Sequence, residues 1–335
     1  MANLLPPEEF VKIYLERGLL PENIVVKHSI TGEILPEAQI TPLYKIPADE
    51  LRVYIKDEFY DPFVIKEMLG PTRDVLREEA KKRRVFTRIA PLCRATKLST
   101  GIICERVPYH YIRLIHSNAD FVLRERGLYS PMRLRDALRS LVVRKNKLVP
   151  LEKSVLPNAL SVHIFLVAKD GAAVFVRRSP RLSIAANTLS VIEGYVEADR
   201  DNTETTGEEL AFIELEDEAG LKKGEVDLVY VAGYRSLRTL GRPMAMFFGI
   251  YSGNSEELAR RIKEVSSWEH AGIEVIKLSE SAKDIDDFYE TLDRSAIESL
   301  SKRPDLSPTL KIYTHILGSI ARSFCIRKEV EKLRR

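Results

Sequence analysis

Residues 206–221, TGEELAFIELEDEAGL, carry the acidic side chains whose spacing is best suited to chemistry in this sequence. Thr206 and Glu209 form a capping box and Gly220 suits the position after a helix, so the segment predicts a helix. Its apolar residues share one arc of that helix, and three carboxylates share the next arc: Glu214, Asp217 and Glu218. Like charges so close repel one another, and a divalent cation such as Mg²⁺ or Mn²⁺ removes that repulsion. The alternative is an acidic, solvated face beside a basic surface.

The segments around this helix predict the strands that position it. Strand-like runs at 161–168 and 173–177 are joined by a Lys169–Gly171 turn, and a third run follows at 189–196. Further strands are predicted at 226–232, 244–251 and 273–278, with a helix at 256–265. Strands that precede and follow a central helix indicate an α+β fold rather than a doubly wound one.

In this order of elements, residues 156–280 resemble the Nudix hydrolases, whose box has the pattern G-x5-E-x7-R-E-U-x-E-E-x-G-U, with U apolar. Glu214 falls on the first glutamate after the box arginine, and Asp217 and Glu218 fall on the paired acids. Gly194 falls on the opening glycine, and Gly220-Leu221 falls on the closing pair. Trp268-Glu269 and Ile273-Glu274-Val275 are similar to the late acidic loop and final strand of the family.

The sequence departs from the box at several positions. Ile213 stands where the family has an arginine that holds the catalytic glutamate through an ion pair. The gap from Gly194 to Glu214 is 20 residues (214 − 194) instead of 15, and Thr205, with Glu204 beside it, stands at the early glutamate. Glu193 replaces a second glycine. The fold expectation survives these changes because they spare the core positions, whereas the expectation of activity is weakened.

The resemblance implies a site in which carboxylates bind Mg²⁺ or Mn²⁺ on a diphosphate and an activated water attacks phosphorus. It makes Asp217 and Glu218 metal ligands, Glu214 a ligand or general base, and the backbone carbonyl of Glu193 a further ligand. Catalysis is expected from Glu214 and Glu218. Substrate contacts are expected from the following residues, although strand arginines are as often solvent-facing: Arg177, Arg178, Gly194, Glu269 and Glu274.

The N-terminal part of the chain is basic. Residues 1–150 hold 26 basic and 19 acidic side chains, and within them residues 73–147 hold 19 basic and 7 acidic ones. Such an excess attracts polyanions, so nucleic acid is one expected partner of 73–147. The alternative is a set of solvated helix faces, as in the charged helix expected at 72–86.

Three parts are expected along the chain: a basic, α-rich N-terminal domain at 1–150, a Nudix-like domain at 156–285 and a helical segment at 286–335. The expected fold class is α+β, a Nudix-type mixed-sheet α/β/α sandwich preceded by a separate, partly helical N-terminal domain. A helix is predicted near 131–145, and 145–158 is the most linker-like segment. The helix predicted at 307–335 packs back on the chain or against a second copy in a homodimer.

Composition narrows the class of protein. Among 335 residues, 52 Lys and Arg nearly balance 49 Asp and Glu, for a net charge of +3. No apolar stretch approaches a membrane span, the N-terminus lacks a signal-peptide pattern, and three cysteines support neither a disulfide framework nor a zinc site. These features predict a cytoplasmic protein. A single glutamine (Gln39) among abundant charges is typical of thermophile proteins, with compositional drift as the alternative.

Two functions compete on this basis. The first is a Mg²⁺- or Mn²⁺-dependent pyrophosphohydrolase acting on a nucleoside diphosphate-linked substrate. The second is a Nudix-fold module that binds a nucleotide or polyphosphate without turning it over, and it is favoured by the absence of the box arginine. In a nucleic-acid-associated variant of either function, residues 73–147 deliver the substrate to the C-terminal part.

Overall fold

The structure, a computed structural model, describes residues 4–61, 63, 67, 91–123, 132–182, 185–198, 204–265 and 269–333. The helix predicted at 72–86, Trp268, and residues 73–90 and 124–131 of the basic segment lie outside the described residues. Among the described residues, no helix combines the length and apolar character needed to cross a membrane.

Helices occur throughout the described chain. The α-helices are α1 (Pro7–Phe10), α2 (Tyr109–Ile115), α3 (Leu134–Val142), α4 (Gly207–Ala219), α5 (Ser255–Glu264), α6 (Ile285–Glu290), α7 (Arg294–Ser301) and α8 (Pro308–Leu333). A π-helical turn (Val11–Leu15) continues α1, and 3₁₀ turns lie at Glu22–Ile24, His116–Asn118, Leu151–Lys153 and Leu237–Thr239.

The strands alternate with these helices. They are β1 (Val26–Lys27), β2 (Ile34–Leu35), β3 (Glu37–Gln39), β4 (Ile46–Pro47), β5 (Arg52–Phe59), β6 (Leu92–Leu98), β7 (Gly101–Val107), β8 (Val122–Leu123), β9 (Met132–Arg133), β10 (Val143–Arg144), β11 (Lys147–Leu148), β12 (Ser161–Ala168), β13 (Ala172–Arg178), β14 (Leu189–Ser190), β15 (Ile192–Tyr195), β16 (Glu204–Thr206), β17 (Val226–Ser236), β18 (Arg242–Tyr251) and β19 (His270–Lys277).

A nine-stranded mixed sheet forms the centre of the molecule, which confirms the predicted α+β class. The strand β12 lies parallel to β18 and antiparallel to both β13 and β15, and β19 pairs with the other edge of β13. Every residue of β12 is buried, as expected for a strand covered on both faces.

Alternate side chains of these strands enter two different cores. Val162, Ile164 and Leu166 of β12 pack with apolar residues of α4 and α5, such as Leu215. On the other face, Phe165 and Val167 pack with α6, α7 and α8. The sheet is therefore covered by helices on both faces, because the period-two alternation of each strand supplies apolar side chains to both.

The N-terminal third contributes strands to this sheet. Both β3 and β4 pair antiparallel with β17, at residues 234–236 and 229–230. The strand β16, just before α4, joins β5, β7 and β6 in a four-stranded sheet. Leu51, Val53 and Ile102 share the first core with α4. The predicted boundary near residue 150 therefore lies between segments that share a sheet and a core.

The C-terminal helix α8 packs within the chain and spans Pro308–Leu333, close to the predicted 307–335. The hydroxyl of the fully buried Tyr313 lies 2.6 Å from the carbonyl oxygen of His163 and 2.9 Å from that of Phe247, and it donates its one hydrogen between them. These bonds fix α8 against the two central strands.

Two neutral histidines join α8 to the turn at 28–31. His28 Nδ1 accepts the N–H groups of Ile30 and Thr31, both at 3.2 Å, and its Nε2 lies 2.9 Å from the Thr314 hydroxyl. His315 Nδ1 accepts the Ser29 N–H at 3.0 Å. Burial lowers the pKa of each imidazole to about 4. The charge of Lys311 also lowers the pKa of His28, and the neighbouring His28 and Arg322 also lower the pKa of His315.

Acidification is expected to weaken the fold through these histidines. Their pKa values in the folded protein lie below the ordinary 6.5, so the unfolded chain binds more protons and stability is lost as the pH falls from 6.5 towards 4. We expect the free energy of unfolding to drop by roughly 2–5 kcal/mol between pH 7 and pH 4.5. Denaturant unfolding at both pH values measures this drop, which should shrink in a His315→Asn variant. An equal drop in the variant would contradict the assignment.

Candidate active site

The helix α4 is built as the sequence predicts. The Thr206 hydroxyl accepts the Glu209 N–H at 3.2 Å, and the Glu209 carboxylate accepts the Thr206 N–H at 3.1 Å, which closes the capping box. Gly220 ends the helix in the left-handed conformation, with φ of 62°. The predicted apolar arc is buried, including Leu215 and Ala219. The cap and the buried arc together fix the rotation of α4, and hence the direction of its acidic arc.

The Glu214 carboxylate packs directly against the backbone of β15. A Cβ atom added to Gly194 of β15 would overlap the Glu214 carboxylate. The glycine therefore makes room for the acid, and the structure brings together these two predicted site residues although 20 positions separate them (214 − 194).

Glu218, another acid of α4, contacts the start of β19. It is 9% exposed, and its Oε2 lies 3.3 Å from His270 Nε2. Burial and the nearby Glu218 charge raise the pKa of Glu269, against the opposing effect of Arg178. Asp217, the third acid of the arc, is exposed at the surface of α4. The Glu218 and Glu269 carboxylates are therefore close enough for their charges to interact, whereas Asp217 is exposed to solvent.

The carboxylate of Glu193 belongs to a buried network. Arg178 donates to one of its oxygens, and His163 Nδ1 lies 2.9 Å from the other. His163 Nε2 in turn lies 2.8 Å from the Ser161 hydroxyl. Burial disfavours the charged form, but Arg178 and His163 hold the pKa of Glu193 well below its usual range. The Glu193 side chain is therefore an ionised, paired group.

Arg177 and Glu274 face away from this site. Neighbouring side chains of a strand point to opposite faces, and Phe175, two residues before Arg177, packs in the core beneath α8. Arg177 contacts Glu274 at 3.2 Å and Asp305 at 2.8 Å, and Arg303 joins both acids. The structure therefore puts these two predicted substrate contacts in an ion-pair network on the opposite side of the sheet from α4, while Arg178 contacts Glu193.

Three residues that act on predicted site residues were missed from the sequence: His163, His270 and Arg242. The His163 side chain shares the face of β12 with Phe165, beneath α8, and reaches the site only through Glu193 and Arg178. Arg242 donates to the Tyr195 hydroxyl at 2.9 Å, and its charge acts on Glu193. Only His270 could have been found from the sequence, because it directly follows the predicted site residue Glu269. His163 looks like one residue of a buried strand, and only the pairing of β12 with β15 places it opposite Glu193.

The donor set fits a hard divalent cation that keeps much of its own shell. Within the described ranges no three His, Cys, Asp or Glu side chains converge as metal ligands. Mg²⁺, however, is usually held by one or two carboxylates, with water and substrate phosphate completing its shell. Glu218 and Glu269, whose charges interact, match that requirement, and Glu214 lies four residues before Glu218 on α4.

The basic segment contributes two arginines that are not available to a partner. Arg94 is bound to Glu105 at 2.6 Å, and Arg135 is bound to Asp120 at 2.8 Å. Both guanidinium groups are buried. An interaction of 73–147 with nucleic acid stays a prediction that depends on its other basic residues.

Comparisons with known proteins return Nudix hydrolases as distant structural neighbours. No protein-family model matches the sequence, and no curated protein matches it. Among solved structures, a Nudix-family hydrolase from Clostridium perfringens is 11% identical with a TM-score of 0.29, over 49% of this chain and 97% of that one. A MutT protein from Methanosarcina mazei Go1 is 13% identical (TM-score 0.31; 48% and 91% covered), and the Nudix hydrolase RenU from M. smegmatis is 17% identical (TM-score 0.25; 43% and 83% covered). Likenesses at this level do not establish that the chain belongs to the family.

Proposed function

We propose that this protein is a Nudix-type, metal-dependent hydrolase that cleaves the pyrophosphate bond of a nucleoside diphosphate-linked substrate. The observation that carries the proposal is the acidic face of α4, where the Glu214 carboxylate packs on Gly194 and the charge of Glu218 acts on Glu269. Oxygen ligands on a rigid, capped helix opposite a glycine-containing strand suit a cation and the phosphates it binds.

In this proposal Glu218 and Glu269 hold the cation, and Glu214 takes a proton from the attacking water. Next to the antiparallel β12–β15 ladder, the Val196 N–H donates to the Leu160 carbonyl. Hydrogen-bonded and non-hydrogen-bonded pairs alternate along such a ladder, so the carbonyl of Glu193 points away from β12 and is a further candidate ligand. When bound, Mg²⁺ or Mn²⁺ would neutralise phosphate charge and lower the pKa of a bound water.

Arg178 is the proposed phosphate contact. One of its Nη groups binds Glu193, while its buried Nε has no hydrogen-bond partner among the described residues. Arginine binds phosphate oxygens through such fixed N–H groups. Glu193 and His163 then act as positioning residues, because they hold the guanidinium in place.

A binding module that does not turn over its ligand is the second candidate. It is favoured by Ile213, which occupies the position of the family's arginine and lies partly buried on α4. Both candidates use the same acids, but only the hydrolase consumes its ligand.

A panel of nucleoside diphosphate derivatives tests the proposal, with Mg²⁺, Mn²⁺ or chelator present. Metal-dependent release of phosphate-containing products from one member supports the hydrolase. Silence across the panel, with calorimetric binding of one member, would replace it with the binding module. Neither turnover nor binding would overturn both candidates.

Substitution of Gly194 by Ala is expected to reduce turnover without unfolding the protein. The added methyl group meets the flexible end of Glu214, so the carboxylate moves aside and the fold changes little. A displacement of about 1 Å at a reacting group costs up to about 100-fold in rate. We expect at least a tenfold loss of kcat in Gly194→Ala with an unchanged melting temperature.

A double-mutant cycle checks the cause of that loss. In a Glu214→Gln background, Gly194→Ala should cost little further activity, because both changes disable the same carboxylate. Fully additive losses would show that Gly194 acts through another group.

A further inference from the structure

A cavity of about 290 Å³ lies on the opposite side of the sheet from the acidic face of α4. It is bounded by the N-terminal segment, by β2 and β3, and by the start of α8. Proline and leucine side chains line its apolar walls, and Leu35 and Leu306 among them belong to the core beneath α8. Its charged lining residues are Glu8, Glu33, Glu37, Arg238 and Lys311.

Glu37 is a buried acid that lacks a hydrogen-bond partner at one oxygen. Its side chain belongs to β3 and is 1% exposed, and its Oε2 has no partner in the part of the chain that the structure describes. Burial raises the pKa of Glu37 to about 8, against the opposing effects of Arg238 and Lys311. Leaving such a group unsatisfied costs about 1–3 kcal/mol, so a donor from outside the chain would relieve it.

Two cations lie close enough to act on Glu37. Arg238 is 8% exposed, and its Nε donates to the Leu5 carbonyl at 3.0 Å. Lys311 lies 2.7 Å from Glu33. The cavity thus combines an acceptor that needs a donor with cations that attract an anion.

We propose that this cavity binds a small zwitterion of the amino-acid class, with its ammonium group on Glu37 and its carboxylate towards Arg238 and Lys311. A simple cation would be repelled by the arginine and lysine, and a simple anion by Glu8 and Glu33, which also line the cavity. The volume is at the small end of ligand pockets, which span about 300–1,000 Å³. The apolar walls favour an aliphatic side chain over a charged one. This site does not depend on the proposed hydrolase, since it shares none of its residues.

Ligand binding at Glu37 should release a proton, and this release can be measured. An ammonium group beside the carboxyl favours its charged form and lowers the pKa of Glu37. Near pH 7, where the unliganded acid is largely protonated, ligand binding should therefore release close to one proton.

The experiment uses the full-length protein and the twenty common L-amino acids at millimolar concentration. We expect at least one to raise the melting temperature of the wild type and to show calorimetric proton release near pH 7. Its N-acetyl and carboxamide derivatives, tested on the same wild-type protein, should each bind at least tenfold more weakly. Glu37→Gln and Lys311→Met should weaken binding similarly, and Glu22→Gln, an exposed acid away from the cavity, should not.

Some outcomes would overturn the site. These are the absence of any stabilising amino acid, equal binding of the N-acetyl derivative, or unchanged binding by a folded Glu37→Gln variant. The comparison of derivatives needs only the wild type, so the test holds even if Glu37→Gln fails to fold.

Discussion

Glu218→Gln is expected to lower kcat on the substrate identified by the nucleotide panel by about 10²–10⁴-fold. The substitution keeps the size of the side chain but removes a charged ligand from the proposed cation site beside Glu269. The loss should be partly recovered at higher Mn²⁺ concentration, because a weakened site still binds metal when enough is present.

A matched control is available on the same helix. Glu216 is exposed on α4, two residues from Glu218, and Glu216→Gln changes the net charge and helix composition identically. We expect this control to retain wild-type kcat and KM, with both variants melting within a few degrees of the wild type. Equal losses in the two variants would point to the general charge of α4 instead of a ligand role.

The largest expected loss of stability comes from Asp120→Asn. Asp120 accepts two hydrogen bonds from Arg135, at 2.9 and 2.8 Å, and one from the Leu5 N–H at 2.8 Å. Arg135 also donates to the carbonyls of Leu237 and Arg238. Removing one charge of a buried pair typically costs about 3–5 kcal/mol, because the other charge is left uncompensated.

Denaturant unfolding of Asp120→Asn measures this cost, with Asp57→Asn as the control. Asp57 forms an ion pair with Arg106 at 3.4 Å but is 81% exposed. Exposed pairs contribute about 0–1 kcal/mol, so the control should stay close to the wild type. An equally small loss in Asp120→Asn would mean that the hydrogen bonds from Arg135 to the Leu237 and Arg238 carbonyls are enough to stabilise the Arg135 charge.

Local patterns in the sequence determined the elements nearest the candidate site. The capping box at Thr206 and Glu209, the left-handed Gly220 and the apolar arc of α4 all depend on residues within a few positions of one another. The strand-like runs predicted at 161–168 and 173–177 depend on equally local residues, which is why their bounds lie within a residue of the observed Ser161–Ala168 and Ala172–Arg178. The mixed α+β class followed from the order of these elements.

Contacts between distant segments were decided only by the tertiary structure. The sequence treated Arg177 and Arg178 alike, but the pairing of β13 with β19 sends Arg177 to Glu274 and leaves Arg178 for Glu193. The cross-strand partnership of His163 with Glu193 likewise needs two strands 30 residues apart to align. The addition of β3 and β4 to β17 joins positions almost 200 residues apart. The physical reason is that local propensity sets the type of each element, whereas register and strand order are set by burial of the whole core.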